Sequence, residues 1–126
     1  MQTIRILVVD DERDMESLFR QKFRKDIREG LLDFHFAFSG NEALDYMHDS
    51  EMASSLLVLS DINMPGMSGL DLLKNIKQEY PSLRVLIITA YGDDENFNLA
   101  KSLGADGLLT KPVDFESLRK EIFAFS

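Results

Sequence analysis

Leu56-Leu57-Val58-Leu59-Ser60-Asp61-Ile62-Asn63-Met64-Pro65-Gly66-Met67-Ser68-Gly69 is an aliphatic run that stops at a carboxylate and passes into a turn. A continuous run of this kind, without polar alternation, fits a strand covered on both faces, as in a parallel sheet. Pro65, Gly66 and Gly69 punctuate a loop behind it. Asp61 is thereby placed at the C-terminal end of a strand, which is where open α/β sheets build their sites.

The same logic extends in both directions. Ile4-Arg5-Ile6-Leu7-Val8-Val9 is a β-branched run ending in Asp10-Asp11-Glu12, acids suited to a helix start. Met15, Leu18, Phe19, Phe23 and Ile27 follow at helical spacing until Gly30. Leu32, Phe34, Phe36 and Phe38 alternate with Asp33, His35 and Ala37, which predicts a half-exposed edge strand with His35 on its polar side. Gly40-Asn41 opens a short helix carrying Ala43, Leu44 and Met47, and Asp49-Ser50-Glu51 with Ser54-Ser55 makes a polar connection.

Beyond the opening stretch, Leu70, Leu72, Leu73 and Ile76 predict a third helix that ends before Pro81. Leu83-Arg84-Val85-Leu86-Ile87-Ile88-Thr89 is a fourth strand ending in a hydroxyl. Asp93-Asp94-Glu95 starts a fourth helix that Gly104 ends; its wheel puts Leu99, Ala100 and Leu103 on one face and Phe97 on the outer side near Lys101. Gly107-Leu108-Leu109-Thr110 is a short fifth strand closed by Lys111-Pro112. Phe115, Leu118, Ile122 and Phe125 line a last helix. Five strands alternating with five helices predict a doubly wound parallel α/β sheet of (βα)5 type.

A chain of 126 residues suits one domain, so residues 1–126 are expected to form a single unit. The net charge of -8 argues against direct nucleic-acid binding and leaves cations as natural partners. The chain has no cysteine, which excludes disulfides, zinc-thiolate centres and thiol nucleophiles. Its first apolar run stops at Asp10, too short for a signal-peptide core, and no run reaches membrane-span length, so a cytoplasmic protein without membrane contact is expected.

Parallel strands share one C-terminal edge, and the residues predicted there are Asp10, Asp11, Asp61, Thr89 and Lys111. Like charges about 5 Å apart cost roughly 3 kcal/mol per pair at an effective dielectric near 20. A hard divalent cation removes that cost, and oxygen ligands without His or Cys favour Mg²⁺ or a similar ion such as Mn²⁺. A cation, an ammonium and a hydroxyl around one carboxylate also suit phosphoryl transfer, with Asp61 as in-line nucleophile, Lys111 neutralising phosphoryl charge and Thr89 donating a hydrogen bond.

These residues resemble the receiver domain of two-component response regulators. The resemblance runs along essentially the whole chain and rests on Asp10-Asp11-Glu12, the segment Asp61 to Gly69, Thr89-Ala90, and Lys111-Pro112 after Gly104-Ala105-Asp106-Gly107. It implies a flavodoxin-like fold with strand order 2-1-3-4-5 and a cis peptide before Pro112. It implies Asp61 as phosphoacceptor, Asp11 as direct Mg²⁺ ligand, Asp10 as a second acid acting largely through water, and the Asn63 backbone carbonyl as a further metal ligand. Thr89 would move toward the phosphoryl group and Lys111 would bind it.

The resemblance further implies a sensor histidine kinase or phosphotransfer protein as phosphoryl source. A downstream target or the protein's own output domain would read the state, through the surface of the fourth helix, fifth strand and fifth helix, with a phosphorylation-dependent homodimer as one form of readout. Phe97 and Lys101 would lie on that surface. Three residues before the lysine such receivers usually carry Tyr or Phe, and this chain carries Leu108, so the readout is expected to rely on the loop after Thr89 and the fourth helix. Tyr91 in that loop, with Asn63, is a candidate for controlling water access to the phosphorylated carboxylate.

Two other classes compete. An aspartyl-phosphate hydrolase of the haloacid-dehalogenase type would need a DxD pattern after the first strand, which Asp10-Asp11-Glu12 lacks. A flavodoxin-like cofactor binder would need a phosphate-cradling glycine loop. A receiver-fold interaction module independent of phosphorylation is a further alternative. The leading expectation is a signalling switch whose only chemistry is self-directed phosphoryl transfer and autodephosphorylation.

Overall fold

The computed structural model describes residues 3–49 and 56–124. Its elements run β1 (Ile4–Val9), α1 (Asp14–Lys22), α2 (Arg24–Arg28), β2 (Leu32–Ala37), α3 (Gly40–Asp49), β3 (Leu56–Asp61), α4 (Gly69–Glu79), β4 (Arg84–Thr89), α5 (Asp94–Ser102), β5 (Gly107–Thr110) and α6 (Phe115–Ala124). All pairings are parallel and the strand order is β2-β1-β3-β4-β5. The flavodoxin-like doubly wound sheet and its order are therefore as expected. The connection Ser50 to Ser55 and the apolar position Phe125 lie outside the described residues.

Alternation along each strand splits the core into two layers. Leu7, Val9, Val58, Val85 and Ile87 pack with α3, α4 and α5, through Met47, Leu73, Ile76 and Ala100. Ile6, Val8, Leu57, Leu59, Leu86 and Ile88 pack with α1, α2 and α6, through Phe19, Phe23, Leu118 and Ile122. Every residue of β3 is buried, as its aliphatic run requires of a central strand.

Three local expectations are corrected. The predicted first helix is divided into α1 and α2 at Phe23, whose backbone opens to φ -109° and ψ 19°. Its N–H still donates to Phe19 at 2.9 Å and its carbonyl accepts from Ile27 at 3.0 Å, so the i, i+4 apolar row survives the break. In β2, Ala37 is buried rather than on a polar side, because it joins the layer under α3. On α5 the buried face centres on Ala100, flanked by half-buried Phe97 and Leu103, so Phe97 does not stand out from the surface and Leu99 is exposed instead, at 44%. The predicted fourth and fifth helices are thus α5 and α6. Among the described residues, no helix is long and apolar enough to cross a membrane.

Candidate functional site

The C-terminal edge of the sheet gathers the side chains of Asp10, Asp11, Asp61 and Lys111. Asp61 ends β3 at only 3% exposure, and Lys111, just past β5, places its Nζ 2.8 Å from the Asp61 Oδ2. The Asn63 backbone N–H donates to the other oxygen, Oδ1, at 3.3 Å. Carboxylate oxygens of Asp10, Asp11 and Asp61 lie within 4.8 Å of one another, with Asp10 and Asp61 buried and Asp11 exposed. This all-oxygen set could hold a metal ion.

Local sequence explains why the edge is shaped this way. Asp10 leaves β1 with its N–H bonded to the Ala37 carbonyl at 3.1 Å, while its Oδ1 accepts from the Glu12 backbone at 2.9 Å. That turns the chain so that two successive acids face the crevice. Behind Asp61, the Gly69 N–H donates to the Ile62 carbonyl at 2.9 Å, folding the loop onto the strand end. A Cβ at Gly69 would collide with the Asp61 carbonyl oxygen and reach 2.7 Å from Ile62 Cα, so the loop closes only over glycine. Ser68 then caps α4, its hydroxyl accepting from the Asp71 N–H at 3.2 Å.

Electrostatics follow from this crowding. Burial pushes the Asp10 carboxyl above its ordinary value; the Glu12 hydrogen bond opposes that, and the Asp61 charge adds to it. For Lys111 burial works against the charged form, but the hydrogen bond and charge of Asp61, helped by Asp10 and Glu12, outweigh it and raise the ammonium pKa. The cluster therefore carries excess negative charge that one lysine only partly offsets.

Thr89 stands one residue beyond Ile88, the partner of Asp61 in the β3–β4 register. Its carbonyl accepts from the Lys111 N–H at 2.8 Å, which ties the two strand ends together. Its hydroxyl is buried and is the one such side-chain atom among the described residues without a hydrogen-bond partner. The Lys111–Pro112 peptide is cis.

The other sequence candidates fall around the site rather than in it. Tyr91 is 86% exposed in the loop after Thr89, followed by Gly92 with φ 85°. Leu108 pairs with Ile87 and is half-buried against the α5-side layer, and Lys101 is exposed on α5. Sequence reasoning did not single out Glu12 as a contributor of a backbone bond and negative charge, nor Gly69 as the residue that lets the loop close. Glu12 follows the acid pair directly, which is a legible signal. The close approach at Gly69 depends on tertiary contact and leaves no signal beyond the glycine itself.

Comparison with known proteins agrees with the geometry. The chain is 35% identical over 122 residues to the Sporulation initiation phosphotransferase F of Bacillus subtilis, covering 97% of this chain and 93% of that protein. It is 46% identical over 78 residues to the DNA-binding transcriptional regulator NtrC of Klebsiella pneumoniae, covering 62% of this chain but only 16% of that longer protein. A response regulator receiver domain protein from Clostridium thermocellum superposes with a TM-score of 0.84 at 32% identity, covering 96% of this chain and 92% of that one. The sequence pattern of the response regulator receiver domain matches residues 6–123, and the chain belongs to that family.

Proposed function

We propose that residues 1–126 form a receiver unit in which Asp61 accepts a phosphoryl group and so switches a signalling state. The observation that carries this reading is the buried Asp61 carboxylate, held by Lys111 at 2.8 Å inside the three-acid cluster. Asp61 attacks phosphorus in line, the bond from phosphorus to the donor nitrogen or oxygen breaks, and an acyl phosphate remains on Asp61. Lys111 neutralises a phosphoryl oxygen, and the unpartnered Thr89 hydroxyl moves to donate to another.

Asp10, Asp11, Asp61 and the Asn63 backbone carbonyl would hold Mg²⁺ or Mn²⁺, which supplies charge neutralisation for the transferring group. The donor is a sensor histidine kinase or phosphotransfer protein in the cytoplasm. The reader is a target protein, an output domain or a second copy, contacting the α5–β5–α6 surface that includes Lys101 and the exposed part of Phe97. With Leu108 in the usual aromatic position, the change travels through the loop after Thr89 and α5, and Tyr91 with Asn63 governs water access to the acyl phosphate.

The test is incubation with acetyl phosphate, with and without Mg²⁺, followed by intact-mass measurement of wild type and Asp61→Asn. A single phosphoryl adduct that needs both Mg²⁺ and Asp61 is expected. An adduct that ignores Mg²⁺ or survives Asp61→Asn overturns the mechanism.

A further inference from the structure

Residues 20–28 carry Arg20, Lys22, Arg24, Lys25 and Arg28 against a single acid, Asp26, in a chain whose net charge is -8. That acid is unavailable to them: it is 5% exposed and its carboxylate is held by Arg119 of α6, at 2.9 and 3.2 Å. Arg20, Arg24 and Arg28 recur every fourth residue and form one ridge across the α1–α2 break. Arg20 is paired with Glu16 at 3.2 Å and lies over the ring of Phe36 on edge strand β2. The side chains of Arg24 and Arg28 have no hydrogen bond or ion pair among the described residues.

The ridge borders a groove of about 490 Å³, lined by Arg20, Gln21, Arg24, Ile27 and Arg28. Its walls are apolar, formed by the arginine stems and Ile27, and its rim is cationic. We propose that this groove docks a short acidic amphipathic segment of a partner protein, whose apolar residue enters the groove while flanking carboxylates meet Arg24 and Arg28.

Charge and shape select this occupant. The two helices span about 20 Å, so a long polyanion would overrun the ridge onto Glu29 and Asp33 at one end and Asp11 and Glu12 at the other, all exposed. A short segment avoids that repulsion. A lipid surface would favour bulky apolar side chains projecting beside the arginines, whereas the large exposed hydrophobic residues among those described are Tyr91 and Leu99, on other elements. The arginines also lie toward the C-terminal end of α1 and on α2, away from the α1 N-terminus that follows the acid cluster, so docking leaves Asp61 accessible.

The test titrates the full chain against a labelled peptide of about 15 residues, long enough to span both helices, with leucines at helical spacing and glutamates between them. Saturable binding is expected, weakening with added salt and by about tenfold in Arg24→Glu/Arg28→Glu, with a smaller loss in Arg24→Gln/Arg28→Gln. Acetyl phosphate labelling of both variants at the wild-type level checks that they fold. Peptide affinity that is absent, or unchanged in the glutamine variant, overturns the proposal. So does tighter binding to phosphatidylglycerol vesicles or to a single-stranded oligonucleotide than to the peptide.

Discussion

Lys111 and Asp61, 50 residues apart in the chain, meet at 2.8 Å, and the lysine is the only cation that touches the buried carboxylate among the described residues. Nearly all of the acid's local compensation comes from this contact, because the second oxygen has only the 3.3 Å bond from Asn63. Replacing Lys111 by Met is expected to slow phosphorylation by acetyl phosphate on the order of 100-fold, the scale of losing one charge-stabilising donor. Rates from intact-mass time courses check this, and a rate within about threefold of wild type would exclude a phosphoryl-binding role for the ammonium.

Asp10 should behave in the opposite sense. Its carboxyl titrates above the ordinary aspartate value of 3.8, so the folded state holds that proton more tightly than the unfolded chain does. The group thus favours folding most at low pH, and its contribution turns unfavourable as pH rises through the raised value. At pH 7 in chelator, Asp10→Asn is expected to melt higher than wild type, by about 3–5 °C per kcal/mol of repulsion relieved. Added Mg²⁺ should raise the wild-type melting temperature more than the variant's. A lower melting temperature for Asp10→Asn in chelator would contradict the electrostatic account.

The buried, unpartnered hydroxyl of Thr89 predicts a split between stability and signalling. Thr89→Val keeps the shape and removes a polar group that lacks a bond, so the unphosphorylated protein should gain up to about 1 kcal/mol in urea denaturation. The same variant should lose most of the stabilisation that phosphorylation confers, as the added bond can no longer form. Equal phosphorylation-induced shifts in the two proteins would remove Thr89 from the switch.

Two glycines of the β3–α4 loop should differ in kind. Gly66 has φ 76° with open space around it, so Gly66→Ala strains only the backbone, at about 1–2 kcal/mol. Gly69→Ala drives a methyl into the backbone of Asp61 and Ile62, an overpacking cost of about 1–3 kcal/mol that must also displace Asp61, the proposed phosphoacceptor. Both should lower the urea midpoint, and Gly69→Ala alone should slow phosphorylation sharply. Comparable phosphorylation rates would show that the strand end tolerates the shift.

Much of this was legible in the chain because it rests on period and punctuation. The β3 run, the acids after β1 and the lysine after β5 are separate local signals, and parallel topology alone brings them to one edge. The strand order was available only through resemblance, since spacing does not state which strands are neighbours. What misled the reading was direction rather than element type. On α5, the predicted face rightly included Ala100 and Leu103 but took Leu99 for a buried residue and Phe97 for an outer one, whereas Phe97 is half-buried and Leu99 exposed. The Phe23 break was invisible because the apolar row continues across it. The approach of Gly69 to Asp61 is a contact between segments that no local pattern encodes.

The parallel sheet also makes the site a late product of assembly. Asp10, Asp61, Thr89 and Lys111 hang from four strands, and no adjacent pair in that series comes from one hairpin or one helix. A chain that has formed β1 to β4 but not yet docked β5 has its acids gathered and lacks their lysine. On the proposed mechanism such a chain would be a far poorer phosphoryl acceptor, however native its remaining helices look. Full competence for the proposed phosphoryl transfer therefore waits on the docking of β5, the last strand to bring its residue to the site.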